Sequence, residues 1–572
     1  MTISKQLDQA VAAALQEAGA LDAPAVIRQA QRPEFGHYQA NGIMAAAKRA
    51  KINPRALAEA VVTHLKLDGA ERVEVAGPGF INIHLAPAWV GEQLNRMRKD
   101  PRLDVEQPTA KNIVVDYSAP NLMKEMHIGH LRTTTIGDAL VRIHEFLGHK
   151  VIRVNHVGDW GAQFGSLLAY LDGLNEADIS AELKDLEAFY RVASAMFRSD
   201  EAFATRAREY VVRLQGGDER CLMLWQKFID ESIRHCQEVY DKLDISLTRA
   251  DIAAESSYND DLPLVVKELT EQGLLVESDG ALCVFLDQFK GKDGKVLPAI
   301  VRKSDGGYPY MATDLAAVRH RSRHHKADIA LYVVGAPQTL HFQQVFAVSK
   351  AAGYIEEHQD FRHLPFGNIL KADGRMFKTR DGADVKLIDV VDEAVSRAFD
   401  LVTVKNPELD EADRRVIAHV VGAGAMKYAE LSKNRATDYI FDWDNMLSFD
   451  GNTAPYLQYA YTRIRSLFRR AGVDPASLDG EVMPADPAEL ALAIKLLQFG
   501  EAIDGVLEDY QANVLCNYLF ELAGLFMVFY EACPILQADA GTQTGRLILC
   551  DVTARTLQKG LGLLGIQTVE QM

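Results

Sequence analysis

The stretch NIVVDYSAPNLMKEMHIGHLRTTTIGD, residues 112–138, decides how the rest of the chain is read. Its opening, with Ile113, Val114 and Val115 bounded by polar residues, has the pattern of a short buried strand. Beyond it, Ile128, Leu131, Ile136, Leu140, Ile143 and Leu147 recur at near-helical spacing, and Gly148 stands where a helix C-cap belongs. The next run, KVIRVNHVGD at 150–159, is a second strand. Strand, helix and strand in this order make a βαβ unit. That unit implies a parallel sheet with ligands at the carboxyl ends of its strands.

The turn inside this unit carries the chemistry. His127 and His130 are three apart and share one face of the helix they open. Unpaired backbone N–H groups and the helix dipole favour anions there. Imidazoles can donate to phosphate oxygens, and Gly129 lacks the side chain that would keep a flat base or ribose from the backbone. A nucleoside triphosphate suits such a place.

Around this unit the chain is long enough, at 572 residues, for roughly three or four domains. Residues 1–108 read as a self-contained α+β domain: an amphipathic N-terminal helix rather than a signal peptide, then NPRALAEAVVTHLKL and the strand-turn-strand RVEVAGPGFINIHL. KDPRLDVEQPT, at 99–109, is polar and holds two prolines, as a linker does. Residues 109–400 form the parallel-sheet domain, with a mostly helical, charged insertion at about 170–290. The α/β pattern returns in GYPYMATDLAAVRHR and ADIALYVVGA, and past Val404 only helices are evident. We divide that part into a connecting segment, 401–446, and an all-α domain, 447–572. No internal repeat or low-complexity tract is present in the sequence.

Composition excludes several classes. No uninterrupted run of about eighteen apolar residues occurs, so no membrane span is expected. The six cysteines are scattered without a C-x-x-C pair, which argues against a disulfide framework and a cysteine zinc site and for a reducing cytoplasm. A formal net charge of −17 does not advertise nucleic-acid binding, yet a local basic strip can still hold a phosphate backbone.

HIGH after a first Rossmann strand resembles the class I aminoacyl-tRNA synthetases, and DYSAPNLMKEMHIGHLR resembles the arginyl-tRNA synthetases in particular. The resemblance extends through RVNHVGDWGAQFG, TAPYLQYAYTRIRS, CNYLFELAGLFMVFYEACPIL and the closing EQM. It implies a Rossmann-type catalytic domain with a helical insertion, an additional tRNA-binding N-terminal domain and a helical anticodon-binding domain. The implied reaction activates L-arginine with ATP, carried with Mg²⁺, to arginyl-adenylate and pyrophosphate. Transfer to the 3′-terminal adenosine of tRNA(Arg) follows, and bound tRNA is needed for activation. The implied enzyme is a cytoplasmic monomer with no membrane partner and no structural metal.

The same resemblance assigns residues. His127, Gly129 and His130 meet ATP, joined by His341 and by the loop KADGRMFKTRDG, a degenerate form of the class's lysine loop that places Arg375 and Lys378 near the nucleotide. Lys124, just ahead of HIGH, shares the catalytic role with Lys378. For the amino acid, the planar guanidinium calls for carboxylates set side-on. Tyr310 and Asp314, four apart on one helical face, fall on the guanidinium-binding positions, and Asp116 on a further acidic one. Asn121 and Gln338 match residues that hold the α-amino and carboxylate ends. For tRNA, Tyr456, Tyr459 and Arg463 interleave aromatic and cationic groups, as a splayed anticodon loop requires. In FINIHL, Ile81, Ile83 and Leu85 alternate toward a core, which turns Phe80, Asn82 and His84 outward, as a base platform or as packing on a neighbouring helix. A shorter nucleotidyltransferase of the HIGH superfamily would need no tRNA-binding domains, and a non-catalytic relative would lack His127, His130 or Asp314.

Overall fold

The computed structural model describes residues 1–30, 32–161, 163–175, 178–179, 182–183, 185–377 and 385–572. Contacts divide the chain into two compact units: Met1–Pro108 with Phe449–Gly562 and Gln567–Met572, and Thr109–Ser448 with Leu563–Ile566.

The first unit begins with helix α1 (Ile3–Glu17), strands β1 (Ile27–Gln29) and β2 (Tyr38–Ala40), helices α2 (Ile43–Ala50) and α3 (Pro54–His64), strands β3 (Ala70–Ala76) and β4 (Phe80–Leu85), and helix α4 (Pro87–Met97). The strands form an antiparallel sheet in the order β1-β2-β4-β3. Ile81, Ile83 and Leu85 are buried, as their alternation requires. The expectation for Asn82 is overturned, because it is 1% exposed. β4 is an inner strand, so Asn82 lies between Gln39 and Glu74 and accepts from Gln39 Nε2 at 2.8 Å.

The second unit is built on strands β5 (Asn112–Asp116) and β6 (Lys150–Val154), joined by helix α5 (His130–Phe146). Insertion helices α6 (Phe164–Leu171), α7 (Leu186–Ser199), α8 (Glu201–Gln215), α9 (Glu219–Lys242) and α10 (Leu262–Glu271) follow. An antiparallel sheet of β7 (Val276–Ser278), β8 (Ala281–Lys290) and β9 (Val296–Arg302) then closes the insertion, so its end is not helical. Helix α11 (Tyr310–Arg323), strand β10 (Ile329–Tyr332), helix α12 (Thr339–Ala351) and strand β11 (Asp360–His363) return to the main sheet. Its order is β11-β10-β5-β6, all parallel. Val114, Val154, Ala330 and Tyr332 of the sheet share a core with Leu315 and Val318 of α11 and Val345 and Val348 of α12. Each fully buried side chain of this size contributes about 1.5–3 kcal/mol.

Past Val404 the chain is not wholly helical either. Between α13 (Leu387–Lys405) with α14 (Glu411–Leu431) and the C-terminal helices, Tyr439–Ile440 pairs in parallel with Ile369–Leu370. The first unit is completed by α15 (Ala454–Ala471), α16 (Pro487–Leu497), α17 (Phe499–Asp509), α18 (Asn513–Ala532) and α19 (Ala540–Leu563). By length and mean hydropathy, 1.4, α18 is apolar enough to cross a membrane, which its interrupted sequence did not suggest. Leu515, Leu519, Leu522, Phe526 and Phe529 are nonetheless buried, and the helix packs on α16 and α17 as a core helix.

Candidate active site

α5 starts at the paired histidines because Gly129 is its N-cap and His130 its first residue. The two rings stand 4.1 Å apart, centroid to centroid. The N–H of His127 donates to His130 Nδ1 and the N–H of Gly129 to His127 Nδ1, both at 3.1 Å. Burial and the neighbouring His127 push His130 down to about 3, so its imidazole is neutral at physiological pH. A Cβ on Gly129 would lie 2.8 Å from His127 Cε1, so the glycine lets the ring fold back over the turn. Gly137, about two helical turns further on, admits the Tyr117 ring, whose Cγ would meet a Cβ at 2.2 Å.

A cavity of about 1040 Å³ is lined by Asn121, Met123, Trp160, Glu255, Tyr308 and Tyr310 among others. Asn121 is held there because the backbones of Pro120 and Leu122 bond to Gly158. Tyr310, the first residue of α11, is 66% exposed and presents its ring to the cavity. Asp314 Oδ2 lies 2.6 Å from His341 Nε2, so His341 faces an acid rather than standing apart from it. Asp116 is buried against Arg321 at 2.8 Å, and its other oxygen has no hydrogen-bond partner. Arg321 in turn stacks on Tyr332. Gln338 closes the short turn Ala336–Gln338 after β10 and is exposed.

Glu255 is the residue that sequence reading missed. Burial, then Asp159 and Asp314, raise its carboxyl to about 8. Asp159 is itself buried, accepts from the Ser256 backbone and hydroxyl, and is raised by burial. Three acids from distant segments thus act on one place, which suits a cation. Nothing local around Glu255 signals this, since its neighbours in AAESSY are ordinary.

Lys124 is exposed, with its ammonium 5.0 Å from the centre of the Tyr190 ring. Arg375 is 83% exposed on its side chain and donates to Asp373, two residues back in the same turn. Lys378 lies outside the described residues. The segment that leaves its loop is laced to the histidines: the N–H of Ile128 donates to Val385 O at 3.0 Å and that of Leu387 to Met126 O at 2.8 Å. Lys386 Nζ adds a bond to Glu125 at 3.1 Å. The sequence reading stopped at the loop's cations and did not single out Lys386.

In the first unit, Phe80 lines a second cavity, of about 1120 Å³, with Arg28, Arg32, Gln39 and Asn41. Asn82, the cross-strand partner of Gln39, holds it by accepting from its amide. Of the α15 residues, Tyr459 is 38% exposed, Tyr456 packs on Phe520 and Arg463 lies over Tyr530. Tyr461, an aromatic in the same run, is core and donates to Glu570.

Paired imidazoles at the first βα turn of a parallel sheet, with the far end of a cationic loop laced to them, define a class I aminoacyl-tRNA synthetase. The family model for tRNA synthetases class I (R), catalytic domain, matches residues 93–443. The DALR anticodon binding domain matches 457–572 and the arginyl tRNA synthetase N terminal domain 3–85. The chain belongs to the arginyl-tRNA synthetase family. It is 53% identical over 578 residues to an arginine–tRNA ligase of Hahella chejuensis and 54% over 577 to one of Marinomonas sp., covering all of both chains in each case. Among solved structures it resembles the arginyl-tRNA synthetase of Plasmodium falciparum (28% identity, TM-score 0.87, 100% and 99% coverage). It also resembles that of Thermus thermophilus (25% identity, TM-score 0.83, 100% of both chains).

Proposed function

We propose that this chain esterifies L-arginine to tRNA(Arg) using ATP, and that the acid-lined cavity beside the paired histidines is where arginine is held. The carboxylate of arginine attacks the α-phosphorus of ATP, which arrives as its Mg²⁺ complex, and pyrophosphate leaves. A terminal ribose hydroxyl of tRNA then takes the arginyl group from the adenylate. The protein aligns the reactants and stabilises charge spreading over phosphate oxygens.

Neutral His130 donates from its ring rather than pairing as a cation, and His127 is packed against it at the helix N-terminus. Gly129 leaves room for the nucleotide, and Lys124 and Lys378 meet the pyrophosphate. Arg375 reaches it only by leaving Asp373. For arginine, Tyr310, Asp314 and Glu255 receive the guanidinium, while Asn121 and Gln338 hold the other end. His341 orients Asp314 rather than reaching the nucleotide. Asp116 acts through Arg321, which anchors α11. tRNA meets Phe80 with Gln39 and Asn41 in one unit's cavity, and Tyr456, Tyr459 and Arg463 on α15. The division into an N-terminal domain, catalytic domain, connector and anticodon-binding domain follows these roles. Six free, buried cysteines fit a reducing cytoplasm.

The observation that carries this reading is Glu255, on the wall of the cavity that Tyr310 and Asn121 line, with Asp159 and Asp314 near enough to raise its carboxyl. Arginine-dependent exchange of pyrophosphate into ATP, with and without tRNA, tests it. Exchange driven by another amino acid, or none, would overturn it.

A further inference from the structure

The last turn of α11 and the residues after it read HRSRHHK, 320–326, and gather three imidazoles. His320 and His324 are one helical turn apart and stack at 4.5 Å with 19° between their planes. The helix ends at Arg323 with His324 as C-cap, and the N–H of His325 bonds back to His320 O. That return brings His325 within 4.9 Å of His320 and 5.2 Å of His324, centroid to centroid. One ring nitrogen from each residue lies within 4.8 Å of the others. Among the described residues, no other group of three histidines, cysteines or acids brings its donor atoms so close.

Three clustered imidazoles at a helix end, two stacked and the third edge-on to both, call for a physical reason. Unprotonated imidazole is the form that ligates a transition metal, and here one ring nitrogen from each of three residues is gathered in one place. Nearby guanidinium charges have their own acids. Arg319 pairs with Asp261 and Glu268, Arg323 with Glu268, and Arg321 with Asp116. The carbonyl end of α11 also favours a cation.

We propose that His320, His324 and His325 form a binding site for a divalent transition-metal ion of the zinc class, with water completing its shell. Zn–N bonds of about 2.0–2.1 Å in a tetrahedron set the nitrogens roughly 3.3 Å apart. A site of that size requires a ring rotation, for which exposed His324 has room. Imidazole ligands select zinc, cobalt or nickel over magnesium, so the ion that accompanies ATP does not compete. The cysteines do not compete either, because all six are buried. A bound ion would fasten the last turn of the helix whose first turns carry Tyr310 and Asp314.

The test uses full-length protein without an affinity tag, titrated with Co²⁺ and followed by its visible d–d absorption. One equivalent should give the intense band of a four-coordinate site, and Zn²⁺ should abolish it. His324→Ala, at an exposed position, should keep the native circular dichroism and weaken binding at least about tenfold, as loss of a direct ligand exceeds loss of an outer-shell partner. His325→Ala serves as an independent second variant and should act likewise. A wild-type titration without the band at millimolar cobalt, or a band unchanged in both variants, overturns the proposal.

Discussion

Asp314 is the residue on which amino-acid choice should turn. With one oxygen taken by His341, the carboxylate keeps the other for a guanidinium. Asp314→Asn preserves shape but presents a donor to a group made only of donors. Losing one member of a desolvated charge pair costs about 2–5 kcal/mol, so the KM for arginine should rise about 30-fold or more while that for ATP stays put. Steady-state kinetics with both substrates reads the difference, and a change under about threefold would return Asp314 to a structural role. Glu255 predicts a pH dependence. Its carboxyl, normally at 4.5, is raised to about 8, so the free folded protein holds a proton there that the unfolded chain has released. Its stability contribution is full below 4.5 and is lost as pH rises through about 8. A bound guanidinium favours the ionised form. Arginine should therefore bind more tightly as pH climbs from neutrality through about 8, with proton release detectable by calorimetry in two buffers. Glu255→Gln should flatten that profile, and an equally steep profile in the variant would exclude Glu255 as its source.

Helix α5 shows how an element places the paired histidines. Its third residue, Arg132, is 1% exposed and donates to Glu430 of α14 at 2.8 Å and to the carbonyls of Thr437 and Arg435. The helix that begins at His130 is thereby fixed to the helical layer behind it. Breaking a buried pair by removing one partner costs about 3–5 kcal/mol, because the other charge is left buried. Arg132→Met should lower stability by that amount in urea titration, and Arg132→Met with Glu430→Leu should recover a large part of it. A single variant as stable as wild type would mean that Glu430 escapes the penalty by taking up a proton, the direction in which burial already pushes it.

At the scale of the whole molecule, the paired histidines and the proposed tRNA contacts fall in different units. One holds the histidines and the acid-lined cavity, and the other holds Phe80 and α15. Phe80→Ala should raise the KM for tRNA by the worth of one stacked base, about 1–3 kcal/mol. KM values for ATP and arginine at saturating tRNA should not move. An unchanged KM for tRNA in a folded variant would make Phe80 part of the sheet's own packing. Asn82→Ala is a poorer probe, because burial makes it a support for Gln39 and its loss disturbs the sheet.

What the sequence determined by itself were the features that local rules govern. The βαβ unit follows from side-chain periodicity, the helix start from His127, Gly129 and His130, and the pairing of Tyr310 with Asp314 from one turn of helix. Each needs only residues within about four positions of one another. The tertiary structure alone decided which side chains meet across long separations. Glu255 joins Asp314 from a segment that periodicity describes only as the end of a helical insertion. Asp116 has the acidity expected of a guanidinium ligand, but Arg321 neutralises it from another element. Asn82 alternates as an outward residue must, but a strand on either side buries it. Lys386 becomes part of the histidine turn because its backbone pairs there. In each case the residue's type was legible and its partner was not, because partner choice depends on which surfaces the folded chain removes from water.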